Sequence, residues 1–285
     1  MLEFLIPNNM VCHATEAMLF ASVGCGILAV LITQMKISSI GFTMAHGAFA
    51  GAAVGMFFGL NITLAAVVGS ILIAFLLGPL SDKARMPVDT ILGVLFGAMM
   101  AVAIFFYAWM VQLGMGYDAS ALMFGSVLSL YREEIYGLAL IMLLVIGFVI
   151  VFYKEISSMI FHMKIAEISG IKTRPMMYVL LFMIALMVAL TMPIVGGLLL
   201  YVWLVTPAAI AYQFCGTLKQ MMIASPIIAG SISLLGTWTA FTFNLPIAPL
   251  SAVRAVRFAF GFLAAVLISP KRRIAREKYG AVKNE

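Results

Sequence analysis

Charge is what this sequence has least of. Only 10% of its 285 residues are Asp, Glu, Lys or Arg, against about 25% in soluble domains. Hydrophobic residues make up 64% and the mean hydropathy is +1.15. A chain this short of charge cannot clothe a water-facing surface, which excludes an ordinary soluble enzyme and leaves a polytopic helical membrane protein. The three cysteines, Cys12, Cys25 and Cys215, show neither CxxC nor metal-finger spacing, so no redox pair or structural zinc module is expected. No GxxxxGK[ST] segment is present, so no phosphate-binding loop of that type serves ATP hydrolysis here. No Lys or Arg precedes Lys36, so the basic start of a signal peptide is missing and the first apolar segment is expected to be retained. The net charge of +6 does not point to nucleic acid. Of the 17 Lys and Arg, Lys271, Arg272, Arg273, Arg276, Lys278 and Lys283 all follow Pro270, and basic residues beside a last span mark a cytoplasmic end facing anionic membrane lipid.

What is there is a series of apolar runs long enough to cross a bilayer, each needing about 17–25 residues. They fall at Ala14 to Gln34, Ile40 to Leu60, Thr63 to Leu80, Val88 to Met115, Ile135 to Tyr153, Met176 to Ile194, Leu198 to Phe214, Gln220 to Phe241 and Ile247 to Ile268. The expected fold is all-α, with about nine spans (eight to nine). Lys36, Lys83, Arg85, Lys154, Lys164, Lys172, Arg174, Lys219 and the tail share one side if the N-terminus lies outside. Arg132, beside Glu133 and Glu134, is the exception, so charge places the C-terminus in the cytoplasm. Residues 1–270 then form a single transmembrane domain and residues 271–285 a basic cytoplasmic tail. The joint from Gly116 to Glu134 contains ASALMFGSVLSLY, too short to cross and suited to a re-entrant or interfacial piece.

Within this apolar background a few positions carry chemistry. Ile40 to Leu60 holds one titratable side chain, His46, and glycines at four-residue spacing, Gly47, Gly51, Gly55 and Gly59. Residues four apart share one helical stripe, so these glycines are expected to give a bare face for close helix packing, with His46 beside it. An imidazole at that depth either hydrogen-bonds to backbone or lines a polar path. In the last run Arg254 and Arg257 project from neighbouring parts of one face, where insertion costs about 2.5–3.5 kcal/mol per Arg. Either Glu16 and backbone carbonyls neutralise them, or they form a positive patch in a path for an anionic solute. Residues 155–175, in KEISSMIFHMKIAEISGIKTRP, combine apolar and charged positions and close with Gly170, as an amphipathic helix or helix pair at the membrane face would.

Several of these stretches resemble one family, the membrane permeases of ATP-binding-cassette importers for zinc and manganese. Gly41, Thr43, Ala45, His46 and Gly51 resemble its GDxxxH-type second helix. Val88 to Gly93 looks like its DTxLG segment, and Leu122-Met123-Phe124-Gly125 is similar to its LFG turn. Ala166 to Gly170 is similar to the A-x-x-x-G of its coupling helix, and Val195-Gly196-Gly197-Leu198-Leu199 with Pro207-Ala208-Ala209-Ile210-Ala211 resembles VGxLL…PAAxA. The five occur in the family's order.

The resemblance implies a homodimeric permease in a prokaryotic cytoplasmic membrane. It would be fed by an extracytoplasmic solute-binding protein and driven by a separate nucleotide-binding subunit that holds the ATP and Mg. Ala166, Glu167 and Gly170 would couple to that subunit. The substrate path would pass His46, Phe42, Ser126, Asn244, Arg254 and Arg257, with His46 as a metal ligand. The sequence departs from the pattern at Phe42 and Ser126, where the family commonly has Asp, and at Asn244-Leu245-Pro246-Ile247-Ala248-Pro249, where DxPxGP is typical. Asp and His at i and i+4 would supply oxygen and nitrogen ligands for a divalent metal; here the pair is reduced to His46. An anionic solute or metal chelate therefore stands as an alternative cargo, and a self-sufficient secondary carrier as an alternative class.

Overall fold

A computed structural model describes residues 10–84, 86–115, 125, 132–243, 253, 254, 256 and 257. Among the described residues all regular structure is helical. The elements are α1 (Met10–Gln34), α2 (Ser39–Phe57), α3 (Ile62–Ala84), α4 (Val88–Gln112), α5 (Arg132–Val151), α6 (Tyr153–Phe161), α7 (Met163–Ile168), α8 (Thr173–Val195), α9 (Gly197–Phe214) and α10 (Leu218–Phe243). Seven of them, α1 to α5, α8 and α10, are long and apolar enough to cross a membrane; α9 has a shorter apolar segment, Leu199–Phe214. Among the described residues eight of the nine expected runs are therefore seen, as seven long helices and one short one; the expected last run, from Ile247 to Ile268, lies almost wholly outside the described residues. So do most of the segment expected to be re-entrant and the basic tail.

Helix association in lipid gains nothing from water exclusion, so close backbone approach and polar ties must hold the bundle. The α2–α3 pair shows the first device. A methyl added at Gly51 would overlap the Ala65 carbonyl oxygen and lie 3.1 Å from Gly69 Cα; one at Gly47 would meet Ile73 Cγ1 at 2.7 Å, and one at Gly55 the Ala65 methyl at 2.5 Å. The two backbones therefore run in contact. Gly59, expected to extend the stripe, does not pack there: α2 stops at Phe57, and a methyl on Gly59 would meet nothing within 4 Å. With φ +66°, Gly59 closes the helix instead, as its N–H bonds to Met56 O and Leu60 N–H to Gly55 O. Gly170 ends α7 in the same way. At the end of α1 this left-handed position is filled by Lys36, φ 59°, with Lys36 N–H on Thr33 O and Ile37 N–H on Ile32 O.

Hydroxyl-to-carbonyl bonds supply the second device. Ser225 Oγ donates to Gly26 O at 2.6 Å and Ser233 Oγ to Met18 O at 3.0 Å, joining α10 to α1. Ser70 Oγ donates to Ala185 O at 3.1 Å, joining α3 to α8. None of these ties uses a charge, which is how a bundle with so few ionic residues stays specifically assembled.

The α8–α9 junction is an elbow at Gly196, φ 84° and ψ 151°, a backbone region that favours glycine. Gly125 sits against it. A methyl there would overlap Ile194 O and lie 2.5 Å from the Val195 carbonyl carbon and 2.6 Å from Gly196 N. Gly125, the last residue of the LFG-like stretch, thus meets the VGG-like stretch backbone to backbone.

Candidate functional site

Most of α2 is buried, but Phe42 and His46, one turn apart, remain partly accessible on one face. The helix start is pinned to α4 by Thr43, 1% exposed, whose Oγ1 lies 3.0 Å from Ser39 O and 3.1 Å from Leu92 O. Gly41 lets Leu204 of α9 close in, since a methyl there would stand 2.6 Å from Leu204 Cδ1. These contacts bring three rings to the imidazole's surroundings. Phe42 lies 4.4 Å from His46, 4.7 Å from Phe96 of α4 and 5.2 Å from Tyr201 of α9, centroid to centroid, and Phe96 meets His46 edge-on at 4.7 Å.

The histidine's polar contact fixes its chemistry. Nδ1 lies 2.9 Å from Phe42 O, and a carbonyl oxygen only accepts, so the proton belongs on Nδ1. The Nε2 lone pair is then available to a cation or to water, and no hydrogen bond occupies it among the described residues. The two readings left open by the sequence are therefore compatible: one nitrogen bonds to backbone while the other stays free. A single imidazole among aromatic rings lacks the several ligands of a resident metal site, and no group of three or more His, Cys, Asp or Glu suited to a metal occurs among the described residues.

Of the other expected path residues, Ser126 and Asn244 lie outside the described residues. Arg254 is half-buried and donates from Nη1 to Leu235 O at 3.2 Å, so a carbonyl of α10 meets its charge; Arg257 is exposed. Glu16, expected as an arginine partner, instead receives a bond from Cys12 Sγ at 3.5 Å. Sequence reasoning missed Phe96 and Tyr201. Their signal was proximity, because each follows a family-like stretch by a few residues, yet an aromatic residue in an apolar helix carries no chemistry until its neighbours are known.

The expected coupling region is a helix pair. In α6, Ile156 and Met159 are buried against the bundle, and Phe161 is 78% exposed. In α7, Ala166 is buried, and Ile165 and Ile168 are 59% and 86% exposed. Phe161, Ile165 and Ile168 thus form an exposed apolar knob, the kind of patch that marks an interaction surface. Glu167 is exposed as well, and its carboxylate accepts a bond from Thr173 Oγ1 at 2.6 Å. At the opposite end of the bundle, Thr63, Glu133, Glu134, Gly137, Pro193 and Ile194 line a cavity of about 220 Å³.

The family model of the ABC 3 transport family matches residues 8–268. The chain belongs to that family. As an ABC 3 member it is a multi-pass inner-membrane permease subunit, and ATP hydrolysis resides on a separate subunit. It is 26% identical over 278 residues to the manganese transport system membrane protein MntC of Listeria innocua, covering 96% of this chain and 98% of the relative. It is also 26% identical over 209 residues to the high-affinity zinc uptake system membrane protein ZnuB of Haemophilus influenzae, covering 73% and 79%. Its fold is similar to PsaBC from Streptococcus pneumoniae, solved in complex with Fab, with a TM-score of 0.80 at 21% identity over 97% of this chain and 98% of that one.

Proposed function

We propose that this permease imports a divalent metal ion of the manganese and zinc class. His46 Nε2 would serve as a transient ligand in a path bounded by α2, α4 and α9, and two copies would enclose that path. The observation that carries the reading is the end-to-end relation to a manganese permease, in a family that also contains a zinc permease. The lone imidazole agrees with a carrier, since a transported ion must leave as readily as it enters, and a full set of tight ligands would hold it.

The same reading assigns α6 and α7 to the cytoplasmic side, where Lys36, Lys154, Lys164, Lys172 and Lys219 satisfy the positive-inside preference. There Phe161, Ile165 and Ile168 would insert into the nucleotide-binding subunit. The far end, with Glu133 and Glu134 at the cavity near Pro193, would face the solute-binding protein. Family membership sets aside the self-sufficient carrier. A metal chelate or other anionic cargo keeps one specific support, the replacement of a metal-binding acid by Phe42 and its ring neighbours.

The test is uptake of radioactive manganese and zinc in cells carrying the complete system, wild type beside His46→Ala. Loss of uptake with the assembled complex intact supports the path. Undiminished uptake removes His46 from it, and a wild type that carries neither ion removes the metal assignment.

A further inference from the structure

The knob helix α7 has six residues, and so short a helix does not hold its shape unaided. Its far end is closed by two backbone bonds, Gly170 N–H to Glu167 O and Ile171 N–H to Ala166 O, both 3.0 Å. Across the short link that follows, Thr173 opens α8, is 2% exposed, and donates through Oγ1 to Glu167 Oε1 at 2.6 Å, the short distance of a charge-assisted bond. The first turn of α8 has no acid of its own. The Glu167 carboxylate therefore supplies the negative charge that the positive pole of α8 favours. The backbone bonds and this side-chain bond thus act together at the C-terminal end of α7, tying its last turn to the first residue of α8.

From α8 the contacts lead onward. Ser70 of α3 is bonded to Ala185, α3 lies backbone to backbone on α2 at Gly69 and Gly51, and α2 carries His46. The outer end of α8 is the Gly196 elbow against Gly125.

We propose that the Glu167–Thr173 bond is the strut that carries displacement of α7 into α8, making Thr173 a positioning residue for coupled transport. The proposal rests on the docking reading given above. With the strut broken, the ATPase subunit still binds through Phe161, Ile165 and Ile168, but its stroke is absorbed by the loosened link between α7 and α8.

The experiment uses the complete transporter in proteoliposomes, with Thr173→Val, Thr173→Ser, Glu167→Ala and the Glu167→Ala/Thr173→Val double variant. Two quantities are read: radioactive manganese carried per ATP hydrolysed, and the ATP-dependent movement of a spin label at Ile194, which needs no cargo. Thr173→Val is expected to lower the ratio about tenfold, the size of one hydrogen bond to a charged group, and to abolish the label's movement. Thr173→Ser keeps both. Glu167 is exposed, so Glu167→Ala keeps the test open should the buried variant fail to fold. If both single variants fold, the double variant is expected to be no worse than either. A wild-type ratio and movement in Thr173→Val or in Glu167→Ala would overturn the strut, as would additive losses, which would mean that Glu167 acts on the ATPase subunit directly. A wild-type chain that binds no ATPase subunit would instead defeat the docking reading itself.

Discussion

Gly51→Ala and Gly97→Ala add the same methyl to two transmembrane helices, and the structure assigns them opposite signs. At Gly51 the methyl would overlap the Ala65 carbonyl oxygen and press on Gly69 Cα at 3.1 Å. Neither obstacle is a side chain that can swing away, so α2 and α3 must part along the interlock. Overpacking of this kind costs about 1–3 kcal/mol, set against about 1 kcal/mol gained by replacing glycine with alanine in a helix. The net is a loss of roughly 0–2 kcal/mol, and parting the helices weakens the dispersion attraction between them as well. At Gly97 the methyl meets nothing within 4 Å, so only the helix gain of up to about 1 kcal/mol remains. The assay is the apparent melting temperature of detergent-purified protein, followed by monodisperse gel-filtration recovery after heating. Gly51→Ala is expected below wild type and Gly97→Ala at or above it. Equal melting temperatures for the two variants would show that the α2–α3 backbone contact does not hold that pair together.

Lys36→Gly is expected to stabilise the protein by about 1 kcal/mol, because the left-handed end of α1 strains any residue with a Cβ; a lower melting temperature would show that the lysine side chain compensates for its backbone. Gly125→Ala is expected to abolish transport while α5 and α8 still insert, since the methyl would strike the backbone from Ile194 to Gly196 at a position with φ +76°. Uptake at the wild-type level would contradict that contact. Ile168→Asp is expected to lower affinity for the ATPase subunit at least tenfold by placing a charge in the apolar knob, and binding by co-purification checks it. Ser70→Ala, which removes a single interhelical hydroxyl bond, is expected to cost only about 0.6 kcal/mol, visible as a small drop in melting temperature with transport retained.

The bundle was legible in the sequence because hydropathy, glycine spacing and loop charge are all local properties. Eight of the expected apolar runs correspond to helices, and the glycine stripe from Gly47 to Gly55 faces the neighbour that small residues invite. Gly59 departs from that stripe for a definite reason. Four-residue spacing continues through it, but periodicity cannot report that the chain has already left the helix, whereas a left-handed φ can. The site was legible only in part. His46 stood out as a lone ionisable ring in an apolar run, while Phe96 and Tyr201 depend on how α4 and α9 are rotated against α2, which no single helix records. Glu167 reads as an outward residue because acids on amphipathic helices usually face water. Its bond to Thr173, six residues on, requires the chain reversal at Gly170.

Phe42 shows how one substitution affects structure and cargo together. A carboxylate four residues before His46 would have offered an oxygen ligand on the same face, and its charge would have needed water or cations beside α4 and α9. The phenyl ring instead packs on Phe96 and Tyr201, while the Phe42 backbone carbonyl accepts a hydrogen bond from His46 Nδ1–H. The interhelical ties described above are made by serine and threonine hydroxyls to carbonyls, so packing there makes no use of the imidazole. On the proposed path, what would remain for a passing ion is one free imidazole nitrogen in an aromatic surround, a site that would attract a cation weakly and release it readily. Weak retention at this point on that path would move the burden of selectivity to a delivering protein and the burden of direction to the subunit that hydrolyses ATP, and the proposed strut between α7 and α8 would then matter more than any single ligand.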